Sequence, residues 1–283
     1  MILPLSFTPV HPWTDLALSR VERWLTALIA LFGIPVHLAG ILNPSIYRDP
    51  LLLLPQNRAT DVVTLVIGIP LLIGSAVATA RGSRPGRILW LAAMGFLLYD
   101  YGMYALAVRW QPLFLAYLAL FGLSLYGTIL GFTGTDPVLI RPVVDDRIPR
   151  KRVAAYLLGV AMVVGGVWLS EEIGATARGA TPKSVIEFET PTNIVHVFDL
   201  AIVLPAMATA AVMLLRRKPW GFVLSGVLLV KAATIGLWVL VMMWFSADSG
   251  YSVSVPQLVL FSVLTALGTY LSWLLLSKVE RHP

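Results

Sequence analysis

Eight long apolar runs constrain this chain more than any other feature. They lie near residues 24–42, 62–80, 88–108, 111–132, 153–170, 194–215, 219–245 and 256–277. A hydrocarbon core about 30 Å thick takes roughly 20 residues of helix to cross. In lipid every backbone N–H and C=O must be satisfied within the chain, so only helices or a closed barrel can span. A barrel would read as short segments of alternating polarity, and these runs are continuous. The sequence therefore predicts an all-α integral membrane protein, an eight-transmembrane-helix bundle. Composition agrees: 58% of the 283 residues are hydrophobic and 13% charged, against about 25% charged in soluble domains. No polar stretch is long enough for a second domain, so 1–283 reads as one polytopic membrane domain in a lipid bilayer.

The loops between the runs carry the basic residues. One side holds Arg20 and Arg23, then Arg81, Arg84 and Arg87, then Arg141, Arg147, Arg150, Lys151 and Arg152, then Arg216, Arg217 and Lys218, then Lys278 and Arg281. The other holds only Arg48, Arg58, Arg109, Arg178 and Lys183. The positive-inside rule then places both termini in the cytoplasm and the protein in the plasma or inner membrane. The same clustering argues against a nucleic-acid partner despite the net charge of +6. Met1, Ile2, Leu3 and Pro4 lack the basic start of a cleaved signal peptide. Trp13 to Arg23 reads as a short surface helix capped by Thr14 or Asp15.

The two halves invite comparison. Pro70 precedes Arg81 by the same spacing that separates Pro205 from Arg216, and Pro85 and Pro219 close the basic turns that follow. Pro112 and Pro256 open the fourth and eighth runs, and counting on from them aligns Ser124 with Gly268 and Tyr126 with Tyr270. This pattern suggests parallel repeats of four helices, 24–132 and 153–277, joined by a basic cytoplasmic linker over 133–152. Parallel repeats occur in transporters.

Ionisable residues inside a span are costly and mark function by default. Here they are His37, Asp100, His196, Asp199 and Lys231, with Asp61 at the start of the second run and Glu171 and Glu172 at the end of the fifth. All fall in the outer half or at its rim. Lys231 sits among apolar neighbours and is expected to pair with Asp199 or Asp100. His196 and Asp199 are three apart and share a helix face. They are the weak candidates for a metal site, and none is favoured. Asp100 and Tyr104 share a face as well, beside Tyr99 and Tyr101. Leu51 to Leu54 forms a run too short to span, most simply a packed loop. With no cysteine, thiol chemistry and disulfides are excluded. No cofactor is predicted, and the sequence carries no sign of oligomeric state.

These residues suggest an outward-facing polar pocket walled by spans one, three, six and seven, binding or transporting a small solute, ion or lipid-like ligand. The alternatives are an enzyme acting on a lipid or isoprenoid at the outer leaflet through His196 and Asp199, and a non-catalytic accessory subunit with structural ion pairs. No nucleophile motif or metal-ligand spacing stands out, so the reading leans away from catalysis.

Overall fold

The computed structural model describes residues 16–140 and 148–279. Eight helices among them are long and apolar enough to cross a membrane: α1 (Arg20–Leu42), α2 (Leu54–Ala80), α3 (Arg84–Leu106), α4 (Phe114–Thr133), α5 (Arg150–Ala177), α6 (Ile194–Leu215), α7 (Pro219–Asp248) and α8 (Val255–Leu276). The described residues hold no strand. The protein is a multi-pass helical membrane protein. Exposed side chains such as Leu31, Val66, Leu115, Met162, Val263 and Trp273 face outward, as a lipid-facing surface requires.

Helix order places Arg20 and Ser277 on one face, here the termini face, and the connections after α1, α3, α5 and α7 on the distal face. The centre belongs to α3 and α7, which pack on each other. In α3, 72% of the membrane stretch is buried, against 28% in α4 and 22% in α8. Each central helix packs along the helices that precede and follow it, and α1 meets α4 as α5 meets α8.

Two helix limits differ from the sequence expectation. The second span begins at Leu54, not near 62, so Asp61 lies well inside the helix. Gln56, Asn57, Arg58 and Asp61 interrupt the apolar run, but Pro55 starts the helix at its first turn, and Asn57, Thr60 and Asp61 turn inward and are buried. The Leu51–Leu54 run is the entry to this helix. The fifth span continues to Ala177, so Glu171 and Glu172 are helical residues, and the chain breaks at Gly179 with φ +60°. At the chain start, Ser19 caps α1 in a reciprocal capping box with Glu22. The expected caps Thr14 and Asp15, and Met1 to Pro4, lie outside the described residues, as does the linker segment 141–147.

α2 and α6 each contain one wide turn, Thr64–Gly68 and Asp199–Val203. Ile69 N–H bonds Thr64 O, and Leu204 N–H bonds Asp199 O. Pro70 and Pro205 follow two residues on. A proline inside a helix has no N–H and crowds the carbonyl one turn back. An extra residue in that turn makes room, and such bulges often mark functional positions. After each helix the chain turns through a residue with positive φ, Gly82 at 78° and Arg217 at 57°. Gly86 and Gly221 then lie against the preceding helix so closely that a Cβ would collide with backbone at Ala78–Thr79 and at Met213–Leu214.

At the termini face, Arg87 is a buried partner and not a loop charge. Its Nη2 donates to Glu22 Oε1 at 2.6 Å and to Gly131 O at 3.1 Å, and its Nε donates to Thr135 Oγ1 at 2.9 Å. Helices α1, α3 and α4 are tied together there.

Candidate functional site

Apart from Lys231, the ionisable residues singled out in the spans gather into two clusters in the distal half of the bundle. The first is sealed. His37 from α1 and Asp61 from α2 are both fully buried, and His37 Nδ1 donates to Asp61 Oδ1 at 2.8 Å. Tyr104 donates to the same oxygen at 2.8 Å, and Tyr47 donates to Asp61 Oδ2 at 2.7 Å. Asp61 thus accepts three side-chain donors, which is how a carboxylate is held away from water. The other imidazole nitrogen, Nε2, lies 3.3 Å from the Tyr101 hydroxyl and 4.0 Å from Asp100 Oδ2. Thr64, the first residue of the wide turn in α2, donates to Asp100 Oδ2 at 2.9 Å. Asp100 Oδ1 is buried without a hydrogen-bond partner. Tyr117 closes the cluster: its ring stacks on Tyr104 at 4.2 Å and its hydroxyl meets that of Tyr47 at 3.1 Å. Gly40 is required here, because a Cβ would collide with Asp61 and Tyr47. Tyr47 lies in the connection after α1, and burial, then the Asp61 charge, pushes its phenol well above the usual range.

The second cluster borders a cavity of about 790 Å³ between α5, α6, α7 and α8, with Tyr99 and Met103 of α3 on its wall. His196 Nδ1 donates to Glu172 Oε1 at 2.6 Å, and Nε2 is 4.0 Å from Glu171 Oε2. Asn193 caps the helix start, its side chain accepting from Val195 N and His196 N. The Trp168 ring lies on His196 at 4.6 Å, and Trp168 Nε1 donates to Asp199 Oδ2 at 3.0 Å. Tyr99 donates to Asp199 Oδ1 at 3.2 Å. Trp168 therefore touches both residues of the HxxD pair. Val160, Val164, Met207, Ile235, Phe261 and Leu264 supply apolar wall. Glu171, Asp199, His196 and Lys183 supply the polar end.

Lys231 stands between the clusters and is buried. The expected ion pair with Asp199 or Asp100 is not made. Its Nζ donates to Gly95 O at 3.4 Å and rests over the Tyr99 ring at 4.2 Å. Tyr99 is thus the intermediary, with a cation on its face and Asp199 on its hydroxyl. Cation–π contact of this kind gains strength when desolvated. Lys231 does not line the cavity.

The structure thus divides the sequence candidates. It brings His37, Asp61, Asp100 and Tyr104 together in the sealed cluster, and His196, Asp199 and Glu171 at the cavity, with Glu172 behind His196. The expected walls are corrected: α1 does not line the cavity, and α5 and α8 do. Sequence reading missed Tyr47, Thr64, Tyr117 and Trp168. Proline two residues beyond each wide turn was the available signal for Thr64, while tyrosine and tryptophan near an interface read as ordinary belt residues. No group of three or more His, Asp or Glu among the described residues is arranged to hold a metal. Searches against protein-family models, curated proteins and solved structures find no match to this chain.

Proposed function

We propose that this protein resides in the plasma or inner membrane with both termini in the cytoplasm and binds a lipid-like amphiphile in the α5–α8 cavity. The cavity carries the proposal. Its volume of about 790 Å³ lies within the 300–1,000 Å³ common for small-molecule sites, and such sites join apolar walls to a few placed polar groups. An elongated apolar body fits the wall formed by Val160, Val164, Met207 and Phe261. A cationic or hydrogen-bond-donating head group fits the polar end, where Glu171 and Asp199 stand beside His196 and the charge of Lys183 is met by Glu187 at 3.2 Å. The excess of Lys and Arg in the loops of the termini face supports the orientation, and it puts the cavity toward the outer leaflet.

Binding is preferred to catalysis because the cavity wall is mainly apolar and His196 is the one histidine on it among the described residues. Photo-crosslinking in nanodiscs tests the assignment, using a long-chain alkylamine that carries a diazirine at mid-chain. Adducts on α5, α7 and α8 near Val164, Ile235 and Phe261 are the expected result. Adducts spread evenly over the lipid-facing surface would contradict it.

A further inference from the structure

One constant register, the one that carries Pro70 onto Pro205, relates most of the first half to the second. It carries the wide turn Thr64–Gly68 onto Asp199–Val203. It carries Gly82 onto Arg217, the two positive-φ residues that open the turns. It carries the N-cap Ser83 onto the N-cap Lys218, and the end of α1, Leu42, onto the end of α5, Ala177. Gly86 falls on Gly221, and the backbone that crowds each, Ala78–Thr79 and Met213–Leu214, corresponds as well.

The same register superposes the chemistry. His37 falls on Glu172 and Asp61 on His196. Each half therefore places one acid–imidazole pair between its first and second helices, at 2.8 Å in one and 2.6 Å in the other, with the partners exchanged. The aromatic against each imidazole is exchanged too. Tyr101 of α3 stacks on His37 at 5.6 Å, and its counterpart is Gly236. Trp168 of α5 lies on His196 at 4.6 Å, and its counterpart is Gly33, whose Cβ would come within 2.6 Å of the Tyr101 hydroxyl. Tyr104 corresponds to Val239. So the second half has Gly236 and Val239 on the wall of its cavity, where the first half has two tyrosine rings.

We infer that the chain is a tandem of two four-helix units and that the His37–Asp61 cluster is a second copy of the cavity site, closed by Tyr101 and Tyr104. Its chemistry is that of the open site: an acid–imidazole pair at the distal end of an apolar slot between the unit's helices, suited to a cationic amphiphile. The tyrosines occupy the ligand's place, and their hydroxyls supply to Asp61 and His37 the hydrogen bonds a head group would make. Part of this inference, the ligand class, rests on the function proposed above. The existence of a plugged slot does not.

The absence of cysteine from the chain makes single-cysteine labelling a clean test in nanodiscs. Ala232→Cys reports on the open cavity and Leu97→Cys, its counterpart, on the closed one; Leu97 is fully buried. With a methanethiosulfonate bearing an ethylammonium group, Ala232→Cys is expected to react and Leu97→Cys to stay unreactive. Adding Tyr104→Val, or Tyr101→Ala with Tyr104→Val, is expected to raise Leu97→Cys reactivity at least tenfold. The same backgrounds are expected to raise the binding of a dansylated alkylamine from one equivalent per chain to two. An unreactive Ala232→Cys, or no wild-type binding, counts against the open site and the ligand class alone. An unreactive Leu97→Cys in both folded variants overturns the plugged site. Failure of both variants to fold overturns it too, since the tyrosines would then be core and not a plug.

Discussion

Replacing Asp61 by alanine tests whether the sealed cluster is held as described. The carboxylate is fully buried and accepts from His37, Tyr104 and Tyr47 at 2.7 to 2.8 Å. A hydrogen bond to a charged group contributes about 1.5–3 kcal/mol net, so three would amount to about 4.5–9 kcal/mol. The carboxylate's own desolvation offsets part of this, and removing one member of a buried pair costs about 3–5 kcal/mol in practice. We expect Asp61→Ala to lose about 3–5 kcal/mol, read as reversible unfolding in mixed micelles by circular dichroism. The exchanged pair in the second half sharpens the test. The double variant His37→Glu/Asp61→His recreates the arrangement of Glu172 and His196. It is expected to recover at least half of the loss, with a coupling of about 2–3 kcal/mol, the upper part of the range for contacting residues. A loss below about 1 kcal/mol for Asp61→Ala would refute the account of the cluster. A double variant as unstable as the sum of its single changes would refute the equivalence of the two pairs.

Gly86→Ala and Gly221→Ala force a Cβ into neighbouring backbone and are expected to cost about 1–3 kcal/mol each by overpacking. Gly122→Ala, where a Cβ meets nothing within 4 Å, is expected to be neutral or stabilising by up to about 1 kcal/mol through helix propensity; thermal unfolding of the three side by side checks both. Glu22→Gln breaks the buried pair with Arg87 at 2.6 Å and is expected to cost about 3 kcal/mol, with Glu22→Gln/Arg87→Gln costing less than the sum of the single changes, because an uncompensated buried charge is the main penalty. Asp49, on the distal connection, accepts from Asn57 at 2.9 Å and from the Arg109 amide at 2.9 Å, while burial pushes its carboxyl above the ordinary range. A raised pKa means the folded state binds the proton more tightly. This contribution therefore grows as pH falls from the raised value toward the ordinary carboxylate range and is lost as pH rises. Hydrogen exchange at the Arg109 amide should show that dependence, and Asp49→Asn should flatten it.

How much was legible depended on which force fixed each feature. Bilayer thickness and backbone satisfaction made the eight spans readable from apolar runs alone. Helix limits failed where polar residues point inward: Asn57 and Asp61 look like loop in composition but are buried partners in α2. The ionisable residues of the distal half were recognised as a set, because charge in a span is rare, but Arg87, buried against Glu22 at 2.6 Å, was read as a loop charge. Their sorting into two clusters was not legible, since it depends on which helices meet. Lys231 illustrates the gap. A sequence offers carboxylates as partners, but packing supplied the Tyr99 ring and the Gly95 carbonyl. The prolines at 70 and 205 pointed toward a relation between the halves. What the sequence could not display is that Gly33 with Tyr101, and Trp168 with Gly236, fill corresponding space with the large residue on opposite helices.

The most direct measurement of the central claim is the binding isotherm of a dansylated long-chain alkylamine to the wild-type protein in nanodiscs, set beside Val239→Tyr. That substitution puts into the cavity wall the side chain that Tyr104 places in the sealed half. The account predicts one saturable site in the wild type, above partition into empty nanodiscs, weakened at least tenfold in a folded Val239→Tyr protein. Binding that is absent from the wild type, or equal in the two proteins, would contradict it.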